Sequence, residues 1–293
     1  MSNVAENKWA HPAVILLATD LSDLERTMPF AIEQATATGA KLEVLHVIAA
    51  SEAMNADATG HPYYDPVGAA EIAAKELTPW IELAGQRGVR CEQLMKEGNP
   101  AELVLATARK VHADRIVVGT HSRSKISKLL IGSVAEHVVR YTHVPVVTIG
   151  PEAHWEASAS ERVVLHATQL LPNAKAHAEL AQAVAATLKA RLILLHAVEP
   201  GSLASNEKEV AAEVELKKLA EEIPGVRVET RIAHGPVPEV ILTAAKECKA
   251  HLVVLGSTPR PPIAELTRDR TVYRVLAHAK CPVMTLHAPL MRE

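Results

Sequence analysis

Aromatic residues make up only 3% of this 293-residue chain, and Phe30 is its single phenylalanine. The interior must therefore be built from Ala, Val, Leu and Ile. Cysteine is also scarce. Cys91, Cys248 and Cys281 lie far apart, share no metal or redox spacing and make no disulfide framework, so a reducing compartment is expected. No run of 18 apolar residues occurs, and Met1 to Lys8 contain no apolar leader core; neither a membrane span nor a secretory signal is expected, and the expected location is cytoplasmic. Positive charge is not in excess. Lys and Arg number 31 against 34 Asp and Glu, a formal net charge of −3, which leaves no basic footprint for nucleic acid.

What is present is ordinary for a folded protein: 48% hydrophobic and 22% charged residues, at a length that suggests two domains. Histidine is abundant, with fifteen residues. His112, His143, His251 and His278 each fall near the end of a predicted helix, where an imidazole meets the dipole or caps a carbonyl. No His-x-x-x-His or Glu-x-x-His pair has supporting acidic partners, so no protein-built metal site is expected.

Along the chain, apolar runs alternate with helical periodicity. Residues 14–18 (Val-Ile-Leu-Leu-Ala) read as a first strand covered on both faces. Thr19, Asp20, Leu21, Ser22 and Asp23 follow, suited to a helix start, with Asp20 a candidate N-cap. Leu24, Met28, Ala31, Ile32 and Ala35 then recur at helical spacing up to Gly39. A second strand is expected over 42–48, a long loop, functional or disordered, over 49–66, a helix over 67–86, a strand over 89–95 and a helix from Pro100 to Val111. Strands alternating with helices imply a parallel sheet wound by right-handed crossovers.

Residues 150–160 have linker composition, after which the pattern restarts at Val163. Gly98 and Gly235, Glu102 and Glu239, Gly119 and Gly256, and Pro145 and Pro282 are each 137 residues apart. A constant offset at four landmarks marks a duplication, with domains over 1–150 and 151–293.

The stretch around which the chain is organised joins a β-branched run, Arg115-Ile116-Val117-Val118, to Gly119, a basic hydroxyl-rich loop and Gly132-Ser133. Ser133-Val134-Ala135-Glu136 matches a capping box and opens a helix. Between Asp114 and Glu136 the only charged side chains are Arg115, Arg123, Lys125 and Lys128. A loop between a strand end and a helix start is where open α/β sheets bind anions, because free N–H groups and the helix dipole point there. Many such joints bind nothing, so the residues alone leave both readings open. The loop is neither a Walker A sequence nor Gly-x-Gly-x-x-Gly.

Gly119-Thr120-His121-Ser122, nine residues, then Gly132-Ser133 resembles the nucleotide loop of the universal stress protein family, whose pattern is Gly, two residues, Gly, nine residues, Gly-Ser/Thr. Residues 134–140 and 144–147 are also similar to that family. One departure stands out: the second glycine is Ser122, which costs about 1–2 kcal/mol if the position is left-handed. The resemblance implies two tandem doubly wound α/β domains with five-stranded parallel sheets, of the adenine nucleotide alpha hydrolase-like type. It also implies that the last strand of each domain pairs across an intrachain pseudo-dimer, with a homodimer of such chains as a further possibility.

It further implies an ATP site, with Mg near Asp20. Thr19 and Asp20 stand at the end of the first strand, and Asp20 corresponds to the acidic residue near ribose and metal. Val47 corresponds to the residue whose backbone meets adenine, with Ala18 and Val118 lining the cleft. Gly119, Thr120, His121, Ser122, Arg123, Gly132, Ser133 and Val134 would cradle the phosphates. In the second copy Gln169 replaces Asp20, prolines 259, 261 and 262 remove donors, and Asp269 stands where Gly132 stands, so that copy is expected to be degenerate.

The expected function is a stress-response regulator whose ATP state changes how it docks on a protein partner. No base has a predicted orienting partner; Asp20 and His121 are the candidates, so at most weak ATPase activity is expected. The competing reading is a nucleotide-free scaffold or carrier of a small apolar ligand. A phosphotransferase on the same scaffold is a third class, supported by fold analogy alone.

Overall fold

The computed structural model describes residues 8–120, 131–156, 159, 161–199, 205–223, 225, 227–257 and 270–287. In the first half, strands β1 (Val14–Thr19), β2 (Lys41–Ile48), β5 (Cys91–Glu97), β6 (Arg115–Gly119) and β7 (Val146–Ile149) alternate with helices α1 (Leu24–Thr38), α3 (Pro66–Gln86), α4 (Pro100–Lys110) and α5 (Ser133–Tyr141). The second half repeats this with β8 (Arg162–Ala167), α6 (Ala174–Thr187), β9 (Ala190–Val198), α7 (Ser205–Glu221), β10 (Val228–His234), α8 (Val237–Glu247), β11 (Leu252–Ser257), α9 (Arg270–His278) and β12 (Val283–His287).

All these strands form one ten-stranded sheet, ordered β10-β9-β8-β11-β12-β7-β6-β1-β2-β5. Each five-stranded half is parallel throughout. The halves meet where β7 and β12 pair antiparallel, Val283 opposite Thr148 and Thr285 opposite Val146. This is the intrachain pseudo-dimer expected from the resemblance. It joins two strands that would otherwise be open edges.

The sheet is covered on both faces, which explains why β1, β2, β6 and β7 are almost continuously apolar. Successive residues of a strand serve opposite layers. Ile15 and Leu17 join the core that includes Phe30, whereas Leu16 and Ala18 join the core that includes Val104 and Val138. The edge strands β5 and β10 are only partly covered and correspondingly polar.

Three local expectations need correction. Residues 49–66 contain a one-turn helix, α2 (Ala50–Ala53), and an antiparallel hairpin of β3 (Met54–Ala56) and β4 (Pro62–Tyr64), so they are not an irregular loop. The hairpin turn is held by Asp57 Oδ1, which accepts from Thr59 N–H and Oγ1 and from His61 N–H. This insertion makes the first half longer: 42 residues separate β2 from β5, but 29 separate β9 from β10. The repeat offset is therefore 137 after the insertion, whereas before it the offset is 149 at Asp20 and Gln169 and 150 at His46 and His196.

The capping box does not form. Helix α5 starts at Ser133 as expected, but its N-cap is Gly132, with no side-chain cap bond, and Glu136 pairs with Arg140 at 3.2 Å. Ser133 is one residue too far inside the helix for its hydroxyl to cap.

Residues 150–156 pack closely despite their linker composition. Ala153 is buried, and Trp155 meets Phe30 edge-on at 4.9 Å. Trp155 Nε1 donates to Glu33 Oε2 at 2.7 Å, and Glu33 is also paired with Arg162 at the start of β8. The Arg162 guanidinium lies over the Trp155 ring at 5.2 Å. Among the predicted helix-end histidines, His251 Nδ1 accepts from Val163 N–H at 3.3 Å, so it helps seat β8.

Candidate functional site

The parallel halves place strand C-terminal ends and helix N-termini on one rim. In the first half that rim opens into a cavity of about 500 Å³ between the ends of β1, β2 and β6 and the starts of α1, α4 and α5. Its lining includes Ala18, Thr19, Asp20, Val47, Val118, Gly119, Thr120, Gly132, Ser133 and Val134. Ten of the residues expected from the sequence are therefore brought together. His121, Ser122 and Arg123 lie outside the described residues.

Asp20 is not the N-cap of α1. Its Oδ1 accepts from Ser22 N–H at 3.0 Å and from Ser22 Oγ at 2.6 Å, closing a turn at the mouth of the cavity. The next residue, Leu21, takes φ 73°. This places Asp23 at the N-cap, although its side chain makes no cap bond.

Asp23 instead points inward. The residue is 3% exposed, and its carboxylate accepts from Thr19 Oγ1 at 2.6 Å, while Thr19 Oγ1 accepts from Leu21 N–H at 2.9 Å. Burial pushes the Asp23 carboxyl up to about 6, against the opposing pull of the Thr19 hydrogen bond. A Cβ on Gly119 would sit 1.8 Å from Asp23 Oδ2, so glycine is required there by the carboxylate pressed against the end of β6.

Gly132 has a different constraint. Its φ of −58° is ordinary, but a Cβ would meet the Thr120 carbonyl oxygen at 3.0 Å, and its own N–H donates to that oxygen at 2.6 Å. The Thr120–Gly132 bond brings the ends of the intervening segment together and sets the first turn of α5 at the cavity wall. The first-turn N–H groups of a helix have no intrahelical acceptors, so this wall favours an anion. The carboxylates of Asp20, Asp23 and Glu52 line other parts of the same cavity. The basic residues Arg123, Lys125 and Lys128 lie outside the described residues.

Sequence reasoning missed Asp23, Glu52, Pro100 and Val104, all of which line the cavity. Asp23 was discoverable as a polar residue three positions beyond Asp20 in the strand–helix joint. Glu52 carried no sequence signal, because its position depends on the turn of α2.

The second half holds an equivalent cavity of about 400 Å³, lined by Thr168, Gln169, Asn173, His196 and Gly256 among others. His177 occupies the place beside Gly256 that Asp23 occupies beside Gly119: a Cβ there would meet His177 Nδ1 at 2.4 Å. His166 is buried with Nδ1 3.1 Å from the Val254 carbonyl oxygen, and burial pushes its imidazole down to about 4. Among the described residues, no group of three or more His, Cys, Asp or Glu is placed to hold a metal, and no helix is long and apolar enough to cross a membrane.

A sequence model of the Universal stress protein family matches residues 13–150 and again 161–287. The chain belongs to the universal stress protein family. Each match spans one half of the sheet, so the chain is a tandem member. It is 30% identical over 136 residues to Universal stress protein MJ0531 of Methanocaldococcus jannaschii, covering 46% of this chain and 80% of that one. It is 32% identical over 136 residues to a universal stress protein of Thermus aquaticus, covering 46% of this chain and 96% of the relative.

The tandem architecture recurs in solved universal stress protein structures. One from Archaeoglobus fulgidus superposes with a TM-score of 0.73 at 22% identity, covering 97% of this chain and 99% of the other. A putative universal stress protein from Pseudomonas aeruginosa superposes at 0.68 and 17% identity, with 96% and 95% covered. At these identities the likeness concerns the fold.

Proposed function

We propose that the first half of this universal stress protein binds an adenine nucleotide, ATP in particular, and that its occupancy regulates docking on a protein partner. The observation that carries this reading is the arrangement of the cavity: an apolar slot of Ala18, Val47 and Val118 leads past Asp20 to the Gly119, Thr120, Gly132 and Ser133 corner. The slot suits a base, Asp20 suits ribose hydroxyls, and the N-terminus of α5 suits phosphate. Val134 closes the same wall. His121, Ser122 and Arg123 would complete the phosphate cradle by their place in the family pattern.

Magnesium would enter with the nucleotide. Asp20 fits it, because Ser22 engages Oδ1 and leaves Oδ2 for a cation or a ribose hydroxyl. The metal would neutralise phosphate charge. The proposed regulator acts in the cytoplasm.

Thermal unfolding with and without Mg-ATP tests this reading. Ligand at a hundred times its dissociation constant stabilises by about 2.7 kcal/mol, a shift of roughly 2–4 °C per kcal/mol for a domain of this size. The shift is expected in the wild type and should vanish in Gly132→Asp, whose side chain would meet the Thr120 carbonyl and place a negative charge in the phosphate corner. No shift at millimolar ATP would overturn the nucleotide reading and favour the apolar-carrier alternative.

A further inference from the structure

The first cleft has two chemically different ends. β2, β1 and β6 are adjacent in the sheet, so the ends of β2 and β6 lie two strand spacings apart, about 10 Å. Beyond β6 stands the N-terminus of α5; beyond β2 stand Ser51 and Glu52 on the one-turn helix α2. A nucleotide with its phosphates at α5 and its ribose at Asp20 therefore brings its base to Glu52.

Glu52 is held in place by a buried histidine. His46 is 2% exposed, and its Nδ1 lies 3.0 Å from the Thr19 carbonyl oxygen. A carbonyl oxygen only accepts, so the hydrogen of that bond resides on Nδ1. His46 Nε2 lies 3.1 Å from Glu52 Oε2, within ion-pair distance. The pair brings Oε2 beside the end of β2, and Glu52, whose side chain is 32% exposed, lines the cavity.

The second half shows that the histidine alone does not make this arrangement. His196 Nδ1 lies 3.0 Å from the Thr168 carbonyl oxygen, in the same geometry as His46. Among the described residues His196 forms no ion pair. Glu52 belongs to the longer β2–β5 connection that distinguishes the first half.

We propose that Glu52 is a specificity-determining residue of the first cleft: with Oε2 tethered to His46, its Oε1 accepts a hydrogen bond from a donor on the base edge, which in adenine is the exocyclic amine. His46 is the positioning residue. This rests on the nucleotide reading above, and it adds a side-chain criterion for which base is accepted.

The test compares ATP with purine riboside 5′-triphosphate, which lacks the exocyclic amine, by titration calorimetry on the full chain. Wild type is expected to bind ATP about tenfold more tightly or better, because the amine-free base leaves the carboxylate without a partner. Glu52→Leu should weaken ATP to the level of the amine-free nucleotide while changing the latter by no more than about twofold. Glu52→Gln, which keeps an oxygen acceptor at the same length, should retain part of the preference and guards against a folding defect in the leucine variant. ATP bound with no preference over the amine-free nucleotide, or a preference unchanged in Glu52→Leu, would overturn the role of Glu52 while leaving nucleotide binding intact. Failure of ATP to bind wild type would overturn both.

Discussion

Thr148 and Thr285 occupy equivalent positions in the two central strands, and each donates its hydroxyl to a backbone carbonyl of the other strand: Thr148 Oγ1 to Val283 O at 3.2 Å, and Thr285 Oγ1 to Val146 O at 3.4 Å. Both threonines are essentially inaccessible to solvent. The seam between the halves is short, with three residue pairs in register, so these side-chain bonds matter to it. Thr148→Val and Thr285→Val keep the shape and remove the donor. Each is expected to cost about 1 kcal/mol in denaturant unfolding. Unchanged midpoints in both variants would mean that the seam rests on apolar packing alone.

Asp23 gives stability an unusual pH dependence. Its folded pKa of about 6 lies above the reference 3.8, so the folded state binds this proton more tightly than the unfolded state. The associated stabilisation is fully present below about pH 4 and is lost as pH rises through 6; a shift of this size corresponds to about 3 kcal/mol at most. Asp23→Asn retains an oxygen acceptor for the Thr19 hydroxyl without the buried charge. Its stability relative to wild type should therefore rise between pH 4 and 7. A difference that stays flat over that range in paired thermal melts would contradict the burial of an ionisable carboxyl here.

Gly119→Ala should destabilise the first half by about 1–3 kcal/mol, since the new methyl and the Asp23 carboxylate claim the same space. Because the clash is with one side chain, adding Asp23→Ala should restore much of the loss. A double-mutant cycle reads this as strong coupling. Additive effects would place the glycine requirement in the backbone.

The linker is expected to be held by one carboxylate. Glu33 accepts from Trp155 Nε1 and pairs with Arg162, tying α1 to residues on both sides of the junction. Glu33→Ala removes both contacts and strands partly buried polar groups, at a cost of about 1–3 kcal/mol. Limited trypsin digestion should then cut after Arg162 faster than in wild type, read by the appearance of half-length fragments. Equal cleavage rates would show that the junction is held by Phe30 and Trp155 packing.

Much of this molecule is legible in its sequence, for identifiable reasons. The continuous apolar runs at 14–18 and 115–118 announce strands covered on both faces, and Gly119 and Gly132 mark two places where backbone and neighbour approach too closely for a side chain. What escaped depends on tertiary juxtaposition. Asp23 gains its role from Gly119, far along the chain, and His46 acquires a carboxylate only because α2 turns Glu52 back toward β2. The β3–β4 hairpin is also silent: both strands have three residues, all exposed, so no burial alternation exists to reveal them. At Ser133 the local motif was misleading, since the Thr120–Gly132 hydrogen bond moves the cap one residue earlier.

The antiparallel seam of β7 and β12 has an evolutionary consequence. In a symmetric dimer of identical subunits, every substitution appears at both sites simultaneously, and neither can explore new chemistry while the other keeps its old task. Here both halves are encoded once and separately, so Gln169 can stand where the first half has Asp20, Asn173 where it has Asp23, and His177 where it has Thr27, each differing without a matching change in the other half. Covalent fusion thus preserves the shape of a dimer while freeing its two clefts to diverge.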